Sequence, residues 1–163
     1  MTTDAKGRYD IQSDKALKTV FITAPSGYVP TSRDGLRPDF WAYLTLPADQ
    51  EEIHDFSLTS QDQSDYTVIF PADLHLTNDP RRQDLRRFQE YTLPLVNQIV
   101  GDAKGPVYSF LLGDFTHDIY WYQMDFDEAD GLRFLQDVGY PTYIYNVTGN
   151  HDHDGAITGE DTD

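Results

Sequence analysis

The chain has 163 residues, and 12 Lys+Arg against 28 Asp+Glu give a formal charge of −16 with the histidines neutral. That balance excludes a basic nucleic-acid grip as the default, and 39% hydrophobic with 13% aromatic residues excludes a disordered chain. No apolar run approaches the roughly 18 residues of a membrane-spanning helix, and the opening MTTDAKGRYD lacks the apolar segment of a signal peptide. No membrane span is therefore expected, and localisation stays open. With no cysteine in the chain, any metal must be held by His, Asp, Glu or Asn.

Residues 1–64 read as short β stretches, GRYDI, TVFITA, FWAYLTL and HDFSL, separated by Pro25, Gly27, Pro30, the Asp34-Gly35 pair, Pro38 and Pro47. The composition predicts β-sandwich-like material, with too few strands to cover both faces of a sheet. The polar stretch Ser60–Asp65 then marks a change of rhythm to alternating strand and helix patterns. The expected organisation is a partial β-sandwich-like domain over 1–64 and an α/β domain over 65–163.

In the second part YTVIFPADLHL reads as a buried strand, followed by a helix from about Pro80 to Val100 that lines up Leu85, Phe88, Leu95, Val96 and Ile99, kinked at Pro94. A second strand, VYSFLLGD, precedes a helical segment around 127–138 with Ala129, Leu132, Leu135 and Val138 on one side. Gly139 and Pro141 then lead into a third strand, TYIYNVTGNHD. Strands alternating with helices in this way predict βαβ units and a parallel sheet.

Each predicted strand ends in metal-competent residues: Asp73 and His75, then Asp114, then Asn150, His151 and Asp152. Those ends lie side by side in an open parallel sheet. A carboxylate and an imidazole two residues apart can turn toward one cation, a carboxylate from the next strand can bridge it to a second, and Asn150 can lend that second ion an amide oxygen. Such a pair of ions suits phosphoryl chemistry, with His151 placed to donate a proton to the leaving oxygen.

A rival pattern overlaps the last motif. Asn150, Asp152, Asp154, Gly155, Ile157 and Asp161 fall at positions 1, 3, 5, 6, 8 and 12 of an EF-hand or dockerin-like calcium loop spanning 150–161. Against it, position 1 is Asn, position 12 is the shorter Asp, and the entry is β-rich rather than helical. A non-catalytic binding module built on the amino-terminal strands is a third reading, though those strands carry no binding motif.

Asp73-Leu74-His75, Gly113-Asp114 and Gly149-Asn150-His151-Asp152, in this order and strand placement, resemble the calcineurin-like metallophosphoesterases over roughly residues 66–155. VFITAPSGYVP followed by FWAYL resembles, more loosely, the β domain that precedes the phosphoesterase domain in some bacterial members. The resemblance implies that Asp73 and His75 bind a first metal and that Asp114 bridges two. It further implies that Asn150 binds the second and touches phosphate, that His151 stabilises or protonates the leaving group, and that Asp152 orients His151.

The implied cofactors are two divalent ions, Mn, Fe or Zn, and the implied partner is a phosphate ester of unspecified type. The family's further metal-binding His and its late Gly-x-His-x-His segment have no counterpart here. The expected whole is thus a partial metallophosphoesterase α/β sandwich, a βαβαβ half preceded by part of a β domain. It is expected to be inactive as it stands and prone to self-association through an unpaired sheet edge.

Three further features have two readings each or a bland one. His117 and Asp118 read as loop surface and a helix or turn cap. Tyr120, Trp121 and Tyr122 either line a substrate pocket or pack under a loop. Asn146-Val147-Thr148 matches a glycosylation acceptor but falls in a predicted buried strand.

Overall fold

The structure is a computed structural model that describes residues 2–12, 17–47 and 49–152. Its centre is a parallel sheet of β5 (Thr67–Ile69), β6 (Val107–Leu112) and β7 (Tyr143–Val147), in the order β5-β6-β7. Thr67 stands opposite Val107, and Tyr108 opposite Tyr143. The β-branched and aromatic content of these segments favours the pleated, half-buried surface they occupy. Parallel neighbours need long crossovers, and the helical segments between them supply these.

The first crossover is not the single helix that its periodicity predicts. Pro80–Gln83 forms a turn in which the Asp79 carbonyl accepts the N–H groups of Arg82 and Gln83, and helical backbone begins only with α1 (Asp84–Arg87). A π turn over Phe88–Thr92 follows, then α2 (Leu93–Asp102). Pro94 lies in the first turn of α2, and having no N–H it cannot bond the carbonyl one turn back; the wider π spacing just before it accommodates that missing bond. Phe88 and Val96 are buried as expected, whereas Leu95 is 57% exposed and leaves the predicted apolar stripe.

The second crossover holds α3 (Asp118–Gln123), a helix the sequence pattern did not reveal, and α4 (Glu128–Asp137). Asp127 caps α4 by accepting the Asp130 N–H while the Asp130 carboxylate accepts the Asp127 N–H, a reciprocal capping box. Leu135 is 1% exposed, in a core shared with Leu76, Phe88, Val96, Leu111, Phe115 and Ile144. Leu135→Ala is therefore expected to cost about 3 kcal/mol and Leu95→Ala less than about 1, as read from urea unfolding midpoints.

The amino-terminal region forms two small antiparallel ribbons rather than the expected sandwich-like sheets: β1 (Thr19–Phe21) with β3 (Trp41–Tyr43), and β2 (Tyr28–Pro30) with β4 (Leu58–Ser60). GRYDI is not a strand. Tyr28–Pro30 is one instead, launched by a turn in which the Tyr28 N–H donates to the Pro25 carbonyl and Gly27 takes φ +80°. On β1 and β3 the period-two alternation sends Phe21, Trp41 and Tyr43 outward, where they are exposed.

The Asp34-Gly35 turn ties this region to the parallel sheet. The Asp34 carboxylate accepts the backbone N–H groups of Leu36 and Arg37 and pairs with the Arg37 side chain. Burial pushes the Asp34 carboxyl up, but the hydrogen bonds from Arg37, Leu36 and Ser32 outweigh it and hold the group well below the usual carboxylate range. So fixed, Leu36 enters the core, and its carbonyl accepts the Ile144 N–H at 2.9 Å. The β7 edge, expected to stand unpaired, is covered at that point. Among the described residues no helix is long and apolar enough to cross a membrane.

Candidate functional site

The loops leaving β5 and β6 are zipped together beyond the sheet. The His75 N–H donates to the Asp114 carbonyl and the Leu76 N–H to the Phe115 carbonyl, each at 2.9 Å, and Leu76 bridges Thr116. Between sheet and bridge, Asp73, His75 and Asp114 have φ of 49°, 44° and 50°, in the left-handed region that non-glycine residues rarely adopt. Such strain gathers where a site's geometry demands it. Here it brings one donor atom from each of Asp73, His75 and Asp114 to within 4.8 Å of one another.

Two carboxylates and an imidazole suit a divalent ion, and the His75 ring fits that use. Its Nδ1 is buried with no hydrogen-bond partner among the described residues, while its Nε2 lies 3.9 Å from Asp114 Oδ2. A buried polar atom without a partner is costly unless something binds at the ring.

The third exit, after β7, packs directly on the second. A Cβ on Gly113, which has φ +79°, would meet Gly149 Cα at 2.7 Å, and a Cβ on Gly149 would overlap the Asp114 backbone nitrogen and carboxylate. Only glycine at both positions permits this approach. The Asp152 carboxylate then accepts three backbone N–H groups, from Asp114 (2.7 Å), Phe115 (2.8 Å) and Gly149 (2.8 Å).

That geometry corrects the expectation that Asp152 orients His151. Both Asp152 oxygens are spent on backbone donors of the β6 and β7 loops, and the His151 ring turns the other way, its Nδ1 lying 3.0 Å from Asp118 Oδ1. The backbone reinforces this pairing, since the Asp118 N–H donates to the His151 carbonyl at 3.1 Å and the His151 N–H donates to Asp114 Oδ1 at 2.8 Å. Asn150 is exposed at the rim of the same loop.

His117 and Asp118 are the residues the sequence reading missed as site members. They are half-buried rather than loop surface, and the His117 ring stacks on the His151 ring with centroids 4.0 Å apart. The signal was the carboxylate four residues after Asp114, at the first position of a helix too short to show periodicity. Tyr120 meets the His117 ring edge-on at 5.5 Å, and its hydroxyl accepts a hydrogen bond from Arg82 Nη1 at 3.3 Å. Trp121 donates its ring N–H to Thr116 Oγ1 at 3.0 Å, which is packing under a loop, and Tyr122 is exposed.

Charges within the cluster are tuned by these contacts. The His151 N–H holds the Asp114 carboxyl below its usual value against the opposing effect of burial, with the His151 and His75 rings assisting. Burial pushes the Asp118 carboxyl up, but its hydrogen bonds with His151 and the Ile119 N–H win, leaving it lowered. Burial and then the neighbouring His151 ring push His117 down. Burial, with the Asp152 charge adding to it, raises Glu128 at the start of α4.

The calcium-loop reading finds no support. Asp152 has no oxygen turned outward for such a loop, and Asp154, Gly155, Ile157 and Asp161 lie outside the described residues. The glycosylation tripeptide begins inside β7 as expected, but Asn146 and Val147 are exposed rather than buried, and Asn146 donates to Glu128 Oε1 at 2.8 Å.

The fold and site define an α/β protein that gathers carboxylates and imidazoles at the carboxyl ends of parallel strands. Residues 1–61 match the family described as the N terminal of calcineurin-like phosphoesterase, the same family that the three motifs farther along resemble. No curated protein and no solved structure matches the chain.

Proposed function

We propose that the chain contributes part of a di-metal phosphoesterase site, and that the whole protein hydrolyses phosphate esters. The observation that carries this reading is the convergence of Asp73, His75 and Asp114 in strained left-handed backbone, with a buried His75 nitrogen left without a partner. It is supported by the match of residues 1–61 to the calcineurin-like phosphoesterase N-terminal region. Asp73 and His75 would hold one ion, Asp114 would be shared, and Asn150 would lend its amide oxygen to a second.

Two bound divalent ions would polarise the phosphoryl group and lower the pKa of an attacking water. The chain's own residues would do the rest. Asp118 fixes the His151 ring through Nδ1, which leaves the far nitrogen to give a proton to the leaving oxygen. Asp152 clamps the β6 and β7 loops so that Asp114 and His151 keep their spacing. Manganese, iron and zinc all suit this donor set.

The test is capture of inorganic phosphate, which asks nothing of turnover. Phosphate is expected to bind the whole chain in the presence of Mn2+ and not in its absence, and Asp114→Asn is expected to abolish the Mn2+-dependent part. Phosphate binding indifferent to Mn2+, or to Asp114→Asn, would overturn the reading.

A further inference from the structure

We propose that the group leaving from this site's ester carries a negative charge of its own, and that Arg82, held by Tyr120 and Asp84, recognises that charge. The inference deepens the phosphoesterase reading and rests on it, because it starts from His151 as the donor to the leaving oxygen. Whatever leaves must lie beside that ring. The His117 ring stacks on His151 at 4.0 Å, Tyr120 meets His117 edge-on at 5.5 Å, and the Arg82 guanidinium stands 5.5 Å from the Tyr120 ring centroid. A leaving group that extends along this row of rings ends at a cation.

Arg82 is fixed in place from two sides. Its Nε donates to Asp84 Oδ2 at 2.7 Å, and its Nη1 donates to the Tyr120 hydroxyl at 3.3 Å. Among the described residues its Nη2 makes no hydrogen bond, so the guanidinium keeps donors for an incoming carboxylate or phosphate.

Backbone strain gathers at the same contact. Among the described residues, the non-glycine residues with positive φ are Asp73, His75 and Asp114 in the ion group, and two others, Gln83 (φ 62°) beside Arg82 and Asp125 (φ 48°) beside Met124. The Met124 carbonyl accepts the Asn78 side chain at 3.2 Å, so the loop after β5 is tied to the end of α3 a second time. Left-handed backbone at such positions persists where the surroundings impose it, and here it flanks both ties.

The charge distribution singles out the same segment. A chain of formal charge −16 repels anions in general, yet four of its 12 Lys+Arg fall within residues 81–87, soon after the Asp73 and His75 loop. Arg81 pairs with Asp79, and Arg86 with Glu90 and Gln83. Arg82 is the member of the group that reaches the row of rings.

The experiment is calorimetry on the whole chain with Mn2+, using two matched pairs: 3-phosphoglycerate against glycerol 3-phosphate, and 6-phosphogluconate against sorbitol 6-phosphate. Within each pair a carboxylate replaces an alcohol, at a shorter and then a longer reach. At least one carboxylate probe is expected to bind about tenfold tighter than its neutral counterpart. Arg82→Gln is expected to erase that ratio, and Tyr120→Phe, which removes the hydroxyl and keeps the ring, to lower it by about threefold. Because the readout is a ratio, a general loosening of the site cancels. A ratio near one in both pairs, or a ratio that survives Arg82→Gln because the carboxylate goes to the ion instead, would overturn the proposal. Inorganic phosphate separates the two readings: Mn2+-dependent capture without carboxylate preference overturns this proposal alone, whereas no capture overturns the phosphoesterase reading and this one with it.

Discussion

Asp152→Asn is expected to lower stability by about 3 kcal/mol, a large effect for an isosteric change. The carboxylate is 8% exposed and accepts three backbone N–H groups from two loops. Asparagine keeps one acceptor oxygen, and even with that oxygen in the Oδ2 position its NH2 group faces the Phe115 N–H, so at least one buried donor loses its partner and meets another donor instead. Urea unfolding of the two proteins at neutral pH measures the difference. A midpoint unchanged by the substitution would mean that the clamp between the β6 and β7 loops is not structural.

The second large effect is expected at Gly149. A methyl group there overlaps the backbone nitrogen and carboxylate of Asp114, and because the obstacle includes main chain, side-chain rotation cannot relieve it. The β7 loop must retreat, drawing His151 and its N–H away from Asp114 Oδ1. Gly149→Ala should therefore destabilise by about 2 kcal/mol and reduce Mn2+ affinity by at least about tenfold. Near-UV circular dichroism and calorimetry together read both consequences; full Mn2+ affinity in this variant would show that the close approach of the two loops does not shape the site.

The parallel sheet was legible because its strands are runs of β-branched and aromatic residues bounded by clear punctuation, and Asp127 and Gly139 framed α4 in the same way. The first crossover was harder. Leu85, Phe88 and Val96 gave the right face, but the π turn shifts the register by one residue, and Leu95 swings outward with it. In the amino-terminal region, three-residue strands pair through backbone bonds with little apolar periodicity, so Tyr28–Pro30 left no pattern and GRYDI left a misleading one.

Within the site, the positions of Asp73, His75, Asp114 and His151 at strand exits could be read from motif spacing. The partner of the His151 ring could not. Sequence adjacency favoured Asp152, but a bend at 151–152 sends the two side chains in opposite directions, and Asp118 arrives from a separate helix. Pairings of that kind are set by loop packing, here the contact of Gly113 with Gly149, and leave no periodic trace.

The most direct test of the account is calorimetric titration of the whole chain with Mn2+, beside Asp114→Asn and His117→Gln. Asp114 shares a donor group with Asp73 and His75, whereas His117 stands outside that group. The account predicts saturable binding that falls by about a hundredfold or more with Asp114→Asn and persists with His117→Gln. Mn2+ binding that ignores Asp114→Asn, or no binding to the unsubstituted chain, would contradict it.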